Sequence, residues 1–161
     1  MTRSRVALLV AGIVAGTLLC AVGAFVLGVR RKNPTVLRIA RVIQRDFANP
    51  QALRTAGTPG SPWAVVRHTG RRSGQPYETP VGATAVDDGF FVMLPYGPGA
   101  QWVRNVRAAG AATVVVDGRE HRVRPELVPI EQVELSAADR VAARLFAIRY
   151  ALLLHAAPAG R

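Results

Sequence analysis

The chain has 161 residues, which is enough for one modest domain with an appendage but not for two independent cores. Its formal net charge is +11, yet residues 1–50 hold eight basic residues against one acid, whereas residues 51–161 hold thirteen against nine. The basicity thus belongs mainly to the N-terminal arm, and without zinc spacing or interleaved arginines and aromatics the sequence does not favour nucleic acid as a partner.

Residues 6–29 form an uncharged, mostly apolar stretch between basic flanks. As a helix, these 24 residues would be about 36 Å long, against a bilayer hydrocarbon core of roughly 30 Å. We therefore predict a retained transmembrane helix. A cleaved signal peptide is the alternative, but the stretch exceeds the usual core of about 7–15 residues and no A-x-A site follows it.

The basic flanks of this stretch predict its orientation. Six basic residues lie within about sixteen positions after it, against two before it. The positive-inside rule then predicts a single-pass protein of the cell membrane with its main domain on the cytoplasmic side. Cys20 is the only cysteine, so no intramolecular disulfide can form, which agrees with a reducing compartment.

Residues 34–47 have the spacing of an amphipathic helix. The apolar side consists of Val36, Ile39, Ala40, Ile43 and Phe47, and the basic side of Arg38, Arg41 and Arg45. Such a helix can lie on anionic lipid headgroups or pack on its own domain, and both alternatives stay open. Asn49-Pro50 is expected to end it.

The remaining sequence favours strands, predicted at 63–69, 77–86, 90–94, 112–117 and 119–127. Asp87-Asp88-Gly89 and Asp117-Gly118 predict hairpin turns of the D-G type. Helices are predicted at 101–109, with Val103 and Val106 buried, and at 136–155, with Ser136 as its cap. This pattern indicates a mainly β (α+β) fold, either a small barrel or an α+β roll. We divide the chain into a membrane anchor at 1–32, an amphipathic helix and linker at 33–58, and a β domain at 59–161.

The segment T-G-R-R-S-G at 69–74 joins two predicted strands and has a composition that suits an anion. Gly70 and Gly74 can adopt backbone angles closed to other residues, so amide N–H groups can converge on one point. Arg71 and Arg72 add charge and forked donors, which suit a phosphate. A tight polar hairpin with two solvated arginines explains the same residues, and their chemistry alone leaves both possibilities open.

The longer run T-G-R-R-S-G-Q-P-Y-E-T-P-V at 69–81 resembles the signature of the deazaflavin-dependent nitroreductase and quinone reductase family. A second run, L-P-Y-G-P-G-A-Q-W-V-R-N-V at 94–106, resembles that family's second motif. The resemblance covers residues 63–127. It implies a split β-barrel of the FMN-binding type, preceded here by the N-terminal transmembrane helix.

The resemblance also implies the cofactor, which is the reduced deazaflavin coenzyme F-420, a hydride donor with a phosphate and an acidic oligoglutamate tail. The residues that would hold the phosphate and its neighbouring chain are Arg71, Arg72, Ser73 and Gly74. Thr79 and Pro80 would back the coenzyme, and Tyr96-Gly97 would face it through the backbone.

Trp102 and Asn105 match the W-x-x-N of the second motif. Because they are three residues apart, they share one face of a helix and would offer an aromatic wall and an amide to the same ligand. The alternatives are an ordinary core role for Trp102 and a hydrogen bond within the helix for Asn105. Glu78 is expected to pair with Arg71 or Arg72.

The side chains show no catalytic constellation, so no catalytic residue is assigned. His68, His121 and His155 lack metal-ligand spacing such as H-E-x-x-H, and we expect structural or surface roles for them and no metal site. An enzyme without reactive side chains takes its reactivity from a cofactor.

The predicted activity is hydride transfer from reduced coenzyme F-420 to an electron-poor, lipophilic acceptor, either a quinone or a nitroaromatic. The acceptor pocket is expected to be lined partly by the amphipathic segment and by Phe90 and Phe91. Two alternatives are an oxidoreductase that binds FMN and a membrane-tethered protein that binds a coenzyme without catalysis. Membrane lipid is an expected partner, and a homodimer is a further possibility.

Overall fold

The structure is a computed structural model that describes residues 3–157, with side chains from residue 11 onward except that of residue 47. The helices are α1 (Arg3–Arg30), α2 (Pro34–Ile43), α3 (Asn49–Ala52), α4 (Gln101–Ala109) and α5 (Ala137–Leu145), with a π-helical turn at Gln44–Ala48 and a 3-10 turn at Ile130–Gln132. The strands are β1 (Ala64–Thr69), β2 (Pro76–Val81), β3 (Thr84–Val86), β4 (Gly89–Met93), β5 (Ala112–Val116), β6 (Arg119–Pro129) and β7 (Tyr150–Ala156).

Helix α1 contains one segment, Ala11–Arg30, that is long and apolar enough to cross a membrane. Nearly all of this segment is exposed, so it is not a core helix of the domain. Only its end is buried, because Val29 has no exposed surface. The helix therefore touches the rest of the protein at its C-terminal end.

A tight elbow joins α1 to α2. The Asn33 side chain caps α2 by accepting hydrogen bonds from the backbone N–H groups of Thr35 and Val36. A Cβ placed on Gly28 would come within 2.6 Å of the Val36 side chain, so the absence of a side chain at Gly28 lets the two helices approach.

The amphipathic helix was predicted to end at Asn49-Pro50. It instead continues through the π-helical turn into α3. Pro50 is tolerated because it lies in the first turn of α3. Of the predicted apolar side, Ala40 is buried whereas Ile39 and Ile43 are exposed, and the side chain of Phe47 lies outside the described residues. The helix thus packs on its own protein only in part.

The seven strands form one antiparallel sheet in the order β2-β1-β5-β6-β7-β4-β3. Val81 lies on β2, the first strand of this order, and Phe90 on β4, the second from its other end, yet both belong to one hydrophobic cluster with Val66 and Leu152. The sheet therefore curls into a half-barrel around this cluster. Val103 and Val106 of α4 fill its open side and have no exposed surface, as predicted. The mainly β (α+β) fold is confirmed.

The two edges of the sheet are β2 and β3. Strand β2 pairs with β1 along six residues and carries Pro76 and Pro80, whereas β3 is only three residues long. Prolines occur at sheet edges because they have no N–H to donate, so the nitrogens of Pro76 and Pro80 lie on the outer side of β2.

The hairpin predictions are confirmed, because β3 and β4 meet at residues 87–88 and Asp117-Gly118 joins β5 to β6 with positive φ at both residues. The strand predicted at 77–86 is instead two strands, β2 and β3, that do not pair with each other.

The helix predicted at 136–155 is wrong beyond Leu145. Ser136 caps α5 as predicted, by accepting a hydrogen bond from the N–H of Asp139. Ala147 then takes a left-handed conformation (φ 47°), and the N–H of Ile148 bonds the carbonyl of Ala143, which terminates the helix in a Schellman motif. The chain continues as β7, a largely buried strand between β6 and β4.

Candidate cofactor site

The turn that joins β1 to β2 is closed by its own backbone. The N–H of Gly70 donates to the carbonyl of Gln75, and the N–H of Gly74 donates to the carbonyl of Gly70, both at 2.8 Å. Gly74 has a φ of +67°, as the turn requires. The turn thus uses the amides of Gly70 and Gly74 itself, so these two N–H groups are not available to an anion. Within the described residues, the amides of Arg72 and Ser73 make no hydrogen bond.

A buried amide connects this turn to α4. Asn105 is only 7% exposed, and its Oδ1 accepts hydrogen bonds from the backbone N–H of Arg71 at 3.3 Å and from the Arg71 guanidinium at 2.9 Å. The same guanidinium nitrogen also donates to Gln101 Oε1 at 2.8 Å. Asn105 thus bonds another segment of the chain, not its own helix, and holds the turn against α4.

The amide of Asn105 also reaches His68, which is 8% exposed on β1. Because Oδ1 accepts both bonds from Arg71, the Asn105 Nδ2 group donates to Nδ1 of His68, at 3.4 Å. His68 must then carry its proton on Nε2, which donates to Thr79 Oγ1 at 3.1 Å. A chain of hydrogen bonds therefore runs from Arg71 through Asn105 and His68 to Thr79.

Both described contacts of His68 suit the neutral ring, and burial lowers its pKa. A histidine with a lowered pKa binds its proton more weakly in the folded than in the unfolded protein. Its contribution to the free energy of unfolding is therefore present above the unfolded pKa, near 6.5, and is lost as the pH falls below that value.

We expect the stability difference between the wild type and His68→Phe to narrow as the pH falls from 7.5 to 5. Phenylalanine keeps the ring that stacks on Tyr77 at 5.8 Å but cannot titrate. Urea unfolding of both proteins at several pH values measures this difference. A difference that stays constant or widens toward low pH would contradict the neutral, hydrogen-bonded state of His68.

The two arginines of the turn have different environments. Arg71 is held by Gln101 and Asn105, whereas Arg72 is exposed and makes no hydrogen bond or ion pair with any residue that the structure describes. The prediction that Glu78 pairs with one of them is wrong. Glu78 lies opposite Arg67 in the β1–β2 register and bonds it at 2.8 Å. The charge of Arg72 is therefore available to a ligand.

Ser73 and Tyr77 stabilise the turn from the side. Ser73 Oγ accepts from the N–H of Gln75 at 3.3 Å and lies 3.2 Å from the hydroxyl of Tyr77. A Cβ on Gly70 would come within 2.6 Å of the Tyr77 ring, so Gly70 leaves room for that ring.

The next two predicted residues lie on opposite faces of β2. Thr79 points toward His68, on the side of the sheet that α4 covers, whereas Pro80 is buried, and alternation along the strand places it on the other face. The structure therefore does not bring the two side chains together. Trp102 is partly buried and packs against the hydrophobic cluster inside the half-barrel.

Tyr96 and Gly97 lie in a second place, beside the end of α1. They line a cavity of about 550 Å³ together with Leu37 of α2 and Leu94. Phe90 and Phe91, expected at an acceptor pocket, are instead 8% and 2% exposed, because the central part of β4 is buried in the core. The second motif nevertheless links this cavity to the turn between β1 and β2, because Gln101, four residues after Gly97, accepts a hydrogen bond from Arg71.

His68, Tyr77 and Gln101 were not predicted as part of this site. The sequence contained a signal for His68, because it lies two residues after Val66 on the same strand and both side chains must point to the same face of the sheet. The contact to Gln101 had no local signal, since 30 residues separate it from Arg71.

A comparison with known protein families matches a range that includes both motifs. A family model described as F420H(2)-dependent quinone reductase matches residues 36–146, about two thirds of the chain. No curated protein matches the chain at the similarity required.

Two solved structures are similar at low identity. The first is an F420 reductase at 15% identity, covering 65% of this chain and 92% of that one, with a TM-score of 0.43. The second is Atu2129 from Agrobacterium tumefaciens str. C58, of unknown function, at 21% identity, covering 71% of this chain and 57% of that one, with a TM-score of 0.41. Because both TM-scores are low, neither structure adds to the description of the fold given above. The family match shows that the chain belongs to the F420H(2)-dependent quinone reductases, a family of oxidoreductases whose cofactor is coenzyme F-420.

Proposed function

We propose that this protein transfers a hydride from reduced coenzyme F-420 to a lipophilic, electron-poor acceptor, with a quinone as the first candidate and a nitroaromatic as the second. The observation that carries this proposal is the turn between β1 and β2 that contains Arg71 and Arg72, here called the double-arginine turn. Asn105 holds this turn against α4. The turn presents one guanidinium held by Gln101 and Asn105 beside a second, exposed guanidinium.

The residues of the turn fit the anionic part of the coenzyme. Arg72 is an exposed cation without a protein partner in the described part of the chain, and the neighbouring amides of Arg72 and Ser73 are not used by the turn. Arg71 keeps further N–H groups beyond those bonded to Gln101 and Asn105. A phosphate or carboxylate at this place would meet charge and directed donors together.

When bound, reduced coenzyme F-420 supplies the hydride, and the protein supplies binding and orientation. Arg71, Arg72, Ser73 and Gly74 would hold the phosphate and its neighbouring chain, and Asn105 would keep Arg71 in position. Because Thr79 lies on the face that α4 covers, it is better placed than Pro80 to meet the coenzyme through its side chain. Tyr96, Gly97 and Trp102 are proposed to border the rest of the coenzyme, as the family motif implies.

A membrane location supports the lipophilic acceptor. The segment Ala11–Arg30 is long enough to span a bilayer, and its end contacts the catalytic domain. We propose a single-pass protein of the cell membrane with the domain on the cytoplasmic side, as the basic residues after α1 indicate. The division at residues 32 and 58 and the possible homodimer stay predictions.

Binding and turnover of the full chain in a neutral detergent test this proposal. Fluorescence titration should show micromolar binding of oxidised coenzyme F-420 and much weaker binding of FMN. Reduced coenzyme F-420 should then be oxidised when a short-chain quinone is added, and not in its absence.

Each alternative has its own outcome in this experiment. Tighter binding of FMN than of coenzyme F-420 would contradict the cofactor and favour a flavin enzyme. Binding of coenzyme F-420 without turnover of either a quinone or a nitroaromatic would leave a protein that carries the coenzyme without catalysis.

A further inference from the structure

A second cationic site lies where α1 meets the domain. The cavity of about 550 Å³ between the end of α1, α2 and the loops at 94–99 and 147–150 is lined by four cations, Arg30, Arg31, Lys32 and Arg149. None of its lining residues is acidic. Four like charges around one cavity repel each other, and an anion among them would remove that repulsion.

Two of these cations are fixed by the protein. Arg30 donates to the carbonyl of Arg144, and Lys32 Nζ donates to the carbonyls of Pro95 at 2.8 Å and Phe146 at 3.4 Å. Residues 144 and 146 lie at the C-terminal end of α5, where helix carbonyls favour positive charge. The end of α1 is therefore held against the domain by its own cations.

The other two cations have no such partner. Neither Arg31 nor Arg149 makes a side-chain hydrogen bond or an ion pair with any residue that the structure describes. Burial, and then the charge of Arg149, lower the pKa of Lys32. The cavity thus combines two fixed cations with two guanidiniums whose donors are free for a ligand.

The surroundings of the cavity match the surface of a bilayer. Arg30 is the last residue of the apolar segment, so the cavity begins where a membrane span would end. Next to it, α2 exposes the apolar side chains of Ile39 and Val42 beside its arginines. Exposed aliphatic and basic groups on one helix are typical of contact with anionic headgroups.

We propose that this cavity binds the phosphate headgroup of an anionic phospholipid. Arg31 and Arg149 supply the guanidinium donors, and Lys32 supplies charge from the cavity wall. The proposal rests on the membrane location proposed above but not on hydride transfer. It concerns cations other than those of the double-arginine turn, although Tyr96 and Gly97, proposed above to border the coenzyme, line the same cavity.

Native mass spectrometry of the full chain in neutral detergent tests this site. We titrate with phosphatidylglycerol, with phosphatidylcholine, and with inorganic phosphate as a competitor. One phosphatidylglycerol should bind per chain, at least tenfold more tightly than phosphatidylcholine, and inorganic phosphate should not displace it. The variant Arg31→Gln/Arg149→Gln should bind phosphatidylglycerol at least tenfold more weakly.

A matched control removes the same charge from β6, away from the cavity and from α2. Arg122→Gln/Arg124→Gln changes two exposed arginines that do not line the cavity and should weaken the lipid less than threefold. Equal weakening in both variants, equal binding of both lipids, or displacement of the lipid by inorganic phosphate would each overturn the proposal.

The experiments distinguish a failure of the lipid-site proposal from a failure of the proposed activity. If the lipid binds as expected while the wild type does not bind coenzyme F-420, the lipid site stands and the proposed activity falls. If the coenzyme is bound and turned over while no lipid is retained, the reverse holds.

Discussion

Replacing Arg71 and Arg72 together by alanine should weaken binding of oxidised coenzyme F-420 at least a hundredfold. Each charge-assisted hydrogen bond contributes about 1.5–3 kcal/mol, and about 1.4 kcal/mol corresponds to a tenfold change in affinity. Fluorescence titration of the full-length wild type and variant measures the loss. The effect should be larger at low ionic strength, because both groups act partly through their charge.

The single variants separate binding from folding. Arg72 is exposed and makes no hydrogen bond or ion pair within the described residues, so Arg72→Ala should weaken binding of the coenzyme about tenfold without changing the melting temperature. Arg71→Ala should do both, since Arg71 also fastens the turn to α4.

The matched control for charge is Arg104→Ala/Arg107→Ala, which removes two exposed cations from the outer side of α4. We expect its affinity for the coenzyme to stay within about threefold of the wild type, because both arginines are exposed and neither bonds the turn in the described residues. If this control loses as much affinity as the double variant of the turn, general attraction of an acidic ligand explains binding and the turn is only a hairpin.

Asn105→Ala should lower the free energy of unfolding by about 2–4 kcal/mol, or the melting temperature by roughly 6–12 °C. The change leaves the partly buried backbone N–H of Arg71 and the buried Nδ1 atom of His68 without their partner. Thermal unfolding followed by circular dichroism measures the loss. Gln101→Ala is the control, because Gln101 is exposed and bonds only Arg71 among its described contacts, so about 0.5 kcal/mol or less is expected.

Asn105→Asp distinguishes this hydrogen-bond chain from simple packing. A carboxylate still accepts from Arg71 but cannot donate to His68, so it favours the protonated ring and raises the pKa of His68. The stability of this variant relative to the wild type should then increase as the pH falls from 7.5 to 5.5. An unchanged pH dependence would show that Asn105 and His68 do not share a proton-dependent contact.

Much of the fold follows from local sequence signals. The helix at 101–109 has the predicted bounds because its apolar residues recur at helical spacing and Gly110 follows in a left-handed conformation. The hairpin at Asp117-Gly118 is equally local. Strand β7 was mistaken for helix because Ile148 and Leu152 fit helical spacing, and because Ala147, instead of the usual glycine, takes the left-handed position that ends α5.

Only part of the candidate site could be predicted from the sequence, and the reason differs from that for the fold. The motif residues Arg71 and Asn105 were selected from resemblance, and the structure brings them together. The hydrogen bonds that continue from Asn105 through His68 to Thr79 depend on which strand pairs with β1 and on how α4 packs over it. Such contacts between distant segments leave no trace in residue spacing, so composition and periodicity cannot reveal them.

The prolines at the outer edge of β2 decide how this domain meets copies of itself. An added strand would need donors from residues 76, 78 and 80, and only Glu78 has one to offer. The opposite edge, β3, is three residues long and gives a partner little to extend. Crowded copies can therefore collide with little backbone to template an open-ended fibre, and these edges favour self-association through side-chain surfaces over a shared backbone ladder.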